Sequence, residues 1–375
     1  MAKTPMFPEL DPGHKRTAWE TIVITTPVIL TVVATILAGL SSSEMSSAQY
    51  FRSLAAQMQS KVSDQWGYFQ AKKLRAEQCG NTVEIIRHVS QTMPMDANDF
   101  SQTISQLRGA MWQTVIAVEN ADLSNPAVAT TSKELSALLL KFQSATTRPI
   151  ANNEAAGFMR GDIPEIQEEP IGNQQIKDTI AAVDSRAAEP DLEQQAGRIP
   201  PVDLDQAIAA ANKSAAAFDE AAGQMSSARS QTAQTFDGIS RAATAFERAM
   251  SQASDDVVAI EPPKSVAAIR ELNSQLSGAV SIAGLNFNSN RYQRDAHYNQ
   301  VLAELLEVEV RRQGFLSNRH RARSQEFFYG MLGAQAGVTI ATFSLAVRRR
   351  NLLWGLAASA GLAAVTFAAY VYMFV

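Results

Sequence analysis

The fold is decided by the stretch from Phe327 to Val375, which reads FFYGMLGAQAGVTIATFSLAV (327–347), RRRN (348–351) and LLWGLAASAGLAAVTFAAYVYMFV (352–375). Two uncharged runs are separated by three arginines and an asparagine. Each run reaches the roughly 20 residues that a helix needs to cross the hydrocarbon core of a bilayer. Because the turn between them is short, the stretch predicts two antiparallel transmembrane helices, at 327–347 and 352–375.

A third uncharged run, Ile22 to Leu40, lies near the N-terminus. A cleaved signal peptide is the alternative interpretation, but its apolar region is shorter, at about 7 to 15 residues, and acidic residues are unusual in its leading segment. Here Glu9, Asp11 and Glu20 precede the run. We therefore expect a polar N-terminal tail at 1–21 and a first transmembrane helix at 22–40.

Composition indicates an all-α membrane protein. Hydrophobic residues make up 46% of the chain but aromatic residues only 7%, and the abundance of Ala, Gln and Ser favours long helices over sheets. The net charge of −4 gives no general basis for nucleic-acid binding. The single cysteine, Cys79, excludes an intrachain disulfide and a multi-cysteine metal site.

The region between the membrane segments divides into three parts. Residues 41–148 predict a stalk helix, ending near Cys79-Gly80-Asn81, and shorter helices that include 97–119 and 132–143. Residues 149–202 contain five prolines and an acidic cluster, which predicts a linker with one helix at 174–187. Residues 203–326 predict a long heptad helix, ended by Pro262-Pro263, and a return stalk helix.

The heptad helix carries apolar residues from Leu204 to Val257 in alternating steps of four and three, a pattern typical of a coiled coil. Arg229 and Thr232 interrupt this seam. Because single polar residues in apolar seams often fix the alignment of helices at some expense of stability, both are predicted to set the register.

The two stalk helices are predicted to pair antiparallel. If both stand upright on the membrane, residues equally far from Leu40 and Phe327 face each other, and the sequence supplies matching partners there. The apolar pairs are Val62 with Leu305, Trp66 with Val301, and Phe69 with Tyr298. The opposite charges are Glu44 with Arg323, Lys61 with Glu307, and Lys72 with Asp295. The predicted stalk-packing residues are thus Trp66, Tyr68, Phe69, Lys72, Asp295, Tyr298, Val301 and Leu305.

Gly333 and Gly337 form a Gly-x-x-x-Gly spacing in the second membrane segment. Such spacing lets two helix backbones approach closely, either within the chain, which we expect, or at a dimer seam. Gln335 lies between the two glycines. Because a polar side chain is costly against lipid, we expect Gln335 to face another helix.

The stretch Ser63-Asp64-Gln65-Trp66-Gly67-Tyr68-Phe69-Gln70-Ala71-Lys72 follows the first membrane segment. Together with the C-terminal hairpin, its arginine turn and Trp354, it resembles the bacterial membrane family known as domain of unknown function 4337. The resemblance covers about residues 20–80 and 295–375, and the long middle departs from the family pattern. It implies a bacterial membrane protein and no particular activity.

The sequence contains no Gly-rich phosphate loop, no His-Glu-x-x-His motif and no Cys/His cluster. We therefore predict a protein with no enzymatic activity, cofactor or metal, which acts as a structural or interaction module. The alternative is a sensory or ligand-binding helical bundle that works with a separate partner subunit. The predicted partners are the lipid bilayer and either a second copy or another membrane protein, and no nucleic acid.

The arginines and lysines that flank the membrane segments predict the orientation. Basic residues on short loops weigh more than those beside a long one, which favours a cytoplasmic N-terminus and arginine turn. The predicted location is the bacterial inner membrane, crossed several times, with the large loop outside the cytoplasm.

Overall fold

The computed structural model describes residues 18–90, 95–120, 126–146, 152–166, 172–256, 263–347 and 350–374. Within these ranges the fold is all-α, as the composition predicts, and contains no strand. The helices in chain order are α1 Ala18–Ser90, α2 Ala97–Glu119, α3 Pro126–Thr146, α4 Asn152–Arg160, α5 Gln174–Asp184, α6 Glu189–Gly197, α7 Pro201–Asp256, α8 Pro263–Ala346 and α9 Arg350–Phe374. Predictions about residues 1–17, Val257, Pro262, Arg348 and Arg349 lie outside the described residues.

The described chain forms two compact units. Unit 1 takes its residues from Met1–Ser60, Asn173–Leu204 and Leu306–Val375. Unit 2 takes its residues from Lys61–Gly172 and Asp205–Leu305. The helices α1, α7 and α8 contribute residues to both units.

The predicted first transmembrane helix, 22–40, continues into the predicted stalk as one helix of 73 residues, α1. The predicted break at Cys79-Gly80-Asn81 is wrong. A glycine inside a helix costs only about 1 kcal/mol relative to alanine, and Ala76 and Val83, one turn on either side of Gly80, are both buried. Packing of these two side chains is sufficient to keep the helix continuous.

Three apolar helical segments pack together in unit 1. They are the first part of α1, the last part of α8, and α9. One set of buried contacts joins Leu37, Phe327 and Val371, and another joins Leu30, Ala341 and Ala357. Each set therefore contains a residue from every segment, so the three segments form a three-helix bundle with its own apolar core.

Two helices in the described chain, Ala18–Val89 and Asn351–Phe374, are long and apolar enough to cross a membrane, against the three that the sequence predicts. The expected second segment at 327–347 is helical to Ala346. It is less apolar than the other two because Gln335, Thr339 and Ser344 lie within it.

The short helices α5 and α6 also belong to unit 1, and α6 contacts α8 directly. Arg311 donates to Glu189 at 2.6 Å, and Asn318 donates to Glu193 at 3.0 Å. A Cβ at Gly197 would overlap the ring of Phe315, so only glycine permits this close approach. The described part of the region 149–202 thus holds three complete helices, α4 to α6, where the sequence predicted one.

Unit 2 is built around an apolar core shared by α2, α3, α4, α7 and α8. Its largest fully buried side chains include Phe142, Phe246, Leu107 and Leu135. Helix α2 begins with a reciprocal cap, in which Asp96 accepts from the Asp99 amide at 2.7 Å and Asp99 accepts from the Asp96 amide at 3.3 Å. The predicted α2 bounds are confirmed.

The other short-helix bounds were predicted less well. Helix α3 spans Pro126–Thr146 and is longer at both ends than the predicted helix at 132–143. The predicted helix at 174–187 is α5, which ends at Asp184. Helix α7 spans Pro201–Asp256, close to its predicted bounds.

Candidate functional site

The apolar bundle of unit 1 has aromatic residues at both ends. At one end Trp19 and Trp354 are in edge contact at 4.7 Å, and the indole of Trp354 donates to the Thr26 hydroxyl at 2.8 Å. At the other end Phe327 packs with Leu37 and Val371. The start of α1 and the start of α9 therefore lie together at the tryptophan end.

The outer surface of this bundle is apolar on all three helices. Exposed fractions reach 63% for Val28 on α1, 63% for Phe343 on α8 and 71% for Leu362 on α9. Further exposed residues are Ile29, Val32, Ile36, Leu332, Leu345, Leu352 and Leu356. The bundle thus exposes many apolar side chains, whereas the exterior of an ordinary soluble protein exposes single, scattered ones.

The two glycines of the Gly-x-x-x-Gly spacing lie close to other helices of the same chain. A Cβ at Gly337 would lie 3.3 Å from the Ala357 carbonyl and from Leu30, and one at Gly333 would lie 4.0 Å from Ala364. Both glycines thus face α9, as expected for intrachain packing. Sequence reasoning missed Gly361, where a Cβ would overlap Leu30.

Gln335 makes no side-chain hydrogen bond with another helix in the described chain, and the expectation that it faces another helix stays a prediction. Its side chain is exposed. It lines an open groove of about 470 Å³ between α1 and α8, and the other lining residues are Thr31, Ala34, Thr35, Ala38, Val338 and Thr339.

The ten-residue stretch Ser63–Lys72 lies on α1 in unit 2, opposite α8. The Lys72 ammonium donates to the Asp295 carboxylate at 2.7 Å, the pair expected from antiparallel register. One turn further, the Ser289 hydroxyl donates to the Ala76 carbonyl at 3.0 Å, so the two backbones are close. Lys72 also lies 5.6 Å from the ring centre of Tyr292.

The aromatic residues of the stretch take different environments. Trp66 and Phe69 are half-buried and in edge contact at 5.4 Å, whereas Tyr68 is 58% exposed. On α8, Val301 and Leu305 are buried. Their roles in stalk packing stay predictions.

Tyr298 has a partner that the sequence did not predict. Its ring lies 5.4 Å from Phe218 of α7, within a small apolar cluster that also contains Ala222 and Ile163. In unit 2, α8 is thus flanked by α7 as well as by α1, which a two-helix stalk does not anticipate.

Glu44 and Glu307, the acidic residues of the other two predicted ion pairs, have other partners in unit 1. Glu44 interacts with His320 at 2.5 Å rather than with Arg323, and the His320 ring stacks on Phe51 at 5.2 Å. Glu307 accepts from Arg311 at 2.8 Å, one turn along α8. Serine hydroxyls also join α1 and α8, where Ser324 and Ser41 each donate to the other's backbone carbonyl.

Arg229 occupies the interruption of the heptad seam. Its guanidinium lies 4.5 Å from the ring centre of Phe158 and 4.2 Å from that of Phe287, and donates to the Ala283 carbonyl at 2.8 Å. Burial lowers the pKa of Arg229 to about 10, and the nearby charge of Asp162 acts in the opposite direction. Arg229 therefore bridges α4 and α8 from its position on α7.

Thr232 is half-buried and donates to the Ala228 carbonyl of its own helix at 3.1 Å. Within the described residues, unlike Arg229, it makes no hydrogen bond with a neighbouring helix. The role of Arg229 and Thr232 in setting register stays a prediction.

A polar cavity of about 850 Å³, which we did not predict from the sequence, lies at the end of α4 beside α8. It is lined by Arg160, Asp162, Ile163, Pro164, Glu165, Asn290, Gln293, Arg294 and His297. Gly161 makes the turn there with φ of +73°, and its carbonyl accepts from Asn290 at 2.9 Å. Gly161 in the sequence was the one signal of a turn at this point.

No group of three or more His, Cys, Asp or Glu side chains that could hold a metal ion occurs in the part of the chain that the structure describes. Cys79 is half-buried, and burial raises the pKa of its thiol.

Comparison with known proteins finds one family. Residues 19–138 match the family described as Domain of unknown function (DUF4337), which confirms the predicted resemblance over the first membrane segment and the stalk. The match extends beyond residue 80 into α2 and α3 and does not include residues 295–375. No curated protein and no solved structure matches the chain.

Proposed function

We propose that this chain is a membrane-anchored structural and interaction protein of the bacterial inner membrane, without enzymatic activity. It crosses the bilayer three times, at 22–40, 327–347 and 352–375, and presents a helical domain with coiled-coil pairing outside the membrane. The N-terminus and the arginine turn lie in the cytoplasm.

The observation that carries the proposal is the apolar exterior of the three-helix bundle. Val28, Phe343 and Leu362, one on each helix, are all more than three-fifths exposed. In water such a surface would favour aggregation, whereas against lipid it carries no penalty. The less apolar segment at 327–347 fits this arrangement because Ala334 and Ser344 on its inner face are fully buried.

The length and ends of the bundle fit a bilayer. From Trp19 to Leu37 the rise along α1 is roughly 27 Å at 1.5 Å per residue, close to the hydrocarbon thickness of about 30 Å. Tryptophan and tyrosine concentrate at membrane interfaces. Trp19 and Trp354 would lie at one interface, and Tyr329 and Tyr370 at the other.

Membrane anchoring and orientation can be tested separately. Alkaline carbonate washing of membranes should leave the full chain in the pellet, and release into the supernatant would overturn the anchoring. For orientation, a Cys79→Ser chain with Ser185→Cys, at an exposed site between α5 and α6, should react with a membrane-impermeant maleimide on spheroplasts. Reaction only after permeabilisation would reverse the orientation and leave the anchoring intact.

A ligand-binding bundle is the second candidate, and the polar cavity beside α8 favours it. Its lining combines the basic side chains of Arg160, Arg294 and His297 with the carboxylates of Asp162 and Glu165, a mixture suited to a small zwitterion such as a free amino acid. Binding of free amino acids would raise the melting temperature of the detergent-solubilised chain. An Asn290→Ala variant should lose that increase, since Asn290 holds the turn at Gly161.

A further inference from the structure

Gln335 occupies the middle of the membrane part of α8. It lies eight residues after Phe327 and eleven before Ala346, or roughly 12 Å and 16 Å along the helix axis. Its carboxamide is exposed, and within the described residues it makes no side-chain hydrogen bond. In the proposed membrane, an unpaired amide would thus lie near the bilayer midplane, where water does not satisfy it.

The groove around Gln335 offers it no donor. The hydroxyls of Thr31, Thr35 and Thr339 donate to carbonyls of their own helices, at 2.7, 2.8 and 3.0 Å. The remaining lining is Ala34, Ala38 and Val338. The groove is therefore shallow, built from small residues, and has one polar group whose donors are unused.

We propose that this groove, defined by Thr31, Ala34, Thr35, Ala38, Gln335, Val338 and Thr339, is the surface through which two copies of the chain associate in the membrane. The inference rests on the proposed membrane anchoring. A carboxamide has both a donor and an acceptor, so two glutamines satisfy each other by reciprocal hydrogen bonds.

The occupant is a second copy because symmetry supplies the matching group at the matching depth. Two copies inserted in the same direction and related by a two-fold axis along the membrane normal place each residue at the same depth as its equivalent in the other copy. Gln335 of one copy then faces Gln335 of the other. The small residues Ala34 and Ala38 allow the close approach that such a contact requires, and Gly333 and Gly337 are already occupied by contacts with α9.

Disulfide crosslinking in native membranes tests the proposal. In a Cys79→Ser background, Thr339→Cys lies on the groove one turn from Gln335. Leu362→Cys is a matched control in the middle of α9, where it is also exposed but off the groove. Each chain then has a single cysteine, so a disulfide between two chains reports a contact between copies. The Thr339→Cys chain should form a dimer under mild oxidation, and the Leu362→Cys chain should not.

Adding Gln335→Leu to the Thr339→Cys chain should reduce dimer formation. Interhelical hydrogen bonds in membranes contribute modest free energies, so we expect self-association to be roughly 3- to 30-fold weaker. Energy transfer between labelled copies, measured at increasing ratios of lipid to protein, gives this change. Equal crosslinking at positions 339 and 362, no effect of Gln335→Leu, or adducts of Thr339→Cys with a different protein would each overturn the inference. The carbonate wash, applied to the same samples, distinguishes these results from failure of membrane anchoring.

Discussion

The Lys72 ammonium lies 2.7 Å from the Asp295 carboxylate, and the two side chains differ in burial, at 29% and 5% exposed. Lys72 reaches solvent along part of its length, whereas Asp295 does not. Because the two residues are on α1 and α8, the pair links the stretch Ser63–Lys72 to α8 at one defined position along both helices.

Removing Lys72 should destabilise the protein more than removing the charge of Asp295. Lys72→Met leaves a buried carboxylate without its cation, which we expect to cost about 1–3 kcal/mol in the free energy of unfolding. Asp295→Asn leaves a lysine that can turn to solvent, so its cost should be about 1 kcal/mol. Urea unfolding of the detergent-solubilised chain measures both.

A Lys72→Met/Asp295→Asn double variant, which combines the same two substitutions, provides the control. If the pair acts as a unit, the double variant should be more stable than Lys72→Met alone, since the buried charge is gone. If the loss of stability in the double variant equals the sum of the losses in the two single variants, the residues act independently.

The Lys72 pair shows what the sequence can predict and what it cannot. The assumption that Leu40 and Phe327 lie at the same level predicts the antiparallel register of α1 against α8, and charge matching at that register identifies the partner of Lys72. The partner of Tyr298 follows no such rule. Phe218 reaches it from α7, and the position of a third helix depends on the packing of α2, α3 and α4, which no local pattern encodes.

The same limit explains the polar cavity and the helix at Gly80. The cavity is formed when the Gly161 turn brings Arg160 and Asp162 next to Asn290, residues that are about 130 positions apart. At Gly80, local sequence preference favours a break, but burial of Ala76 and Val83 outweighs it. In both cases contacts between distant segments decide the local structure.

Gly80→Ala should stabilise the protein. Gly80 is in the interior of α1, and a Cβ there meets nothing within 4 Å, so alanine gains helix propensity of about 0.5–1 kcal/mol without a clash. Hydrogen exchange of α1 amides should show the increase in protection. Gly197→Ala is the contrasting variant, because a Cβ there overlaps Phe315 and should destabilise the contact of α6 with α8. A loss of protection in Gly80→Ala would indicate that α1 is interrupted there.

Arg229→Lys should destabilise the protein although it keeps the positive charge. The planar guanidinium lies between the rings of Phe158 and Phe287 while donating to Ala283, and lysine has no planar group to stack on both rings. A desolvated cation–π contact contributes about 2 kcal/mol. We therefore expect Arg229→Lys to lower the free energy of unfolding by about 1–2 kcal/mol in urea titrations.

Arg229→Met is the matched variant, since it keeps an unbranched, flexible side chain and removes the charge. Methionine packs well against aromatic rings and avoids the burial of a cation, so its loss should be smaller than that of lysine. If lysine is tolerated and methionine is not, the charge rather than the stacked plane would be the stabilising element.

Cysteines at Val62 and Leu305 should crosslink within one chain. Both residues are buried in unit 2, and the Lys72–Asp295 and Ala76–Ser289 contacts set the same antiparallel register of α1 on α8. In a Cys79→Ser background, mild oxidation of Val62→Cys/Leu305→Cys should give a chain with faster electrophoretic mobility that reverts on reduction. Val62→Cys/Tyr298→Cys, one heptad away on α8, is the control and should stay reduced. More efficient crosslinking of the control would place α8 a heptad out of the register that Lys72 and Asp295 define.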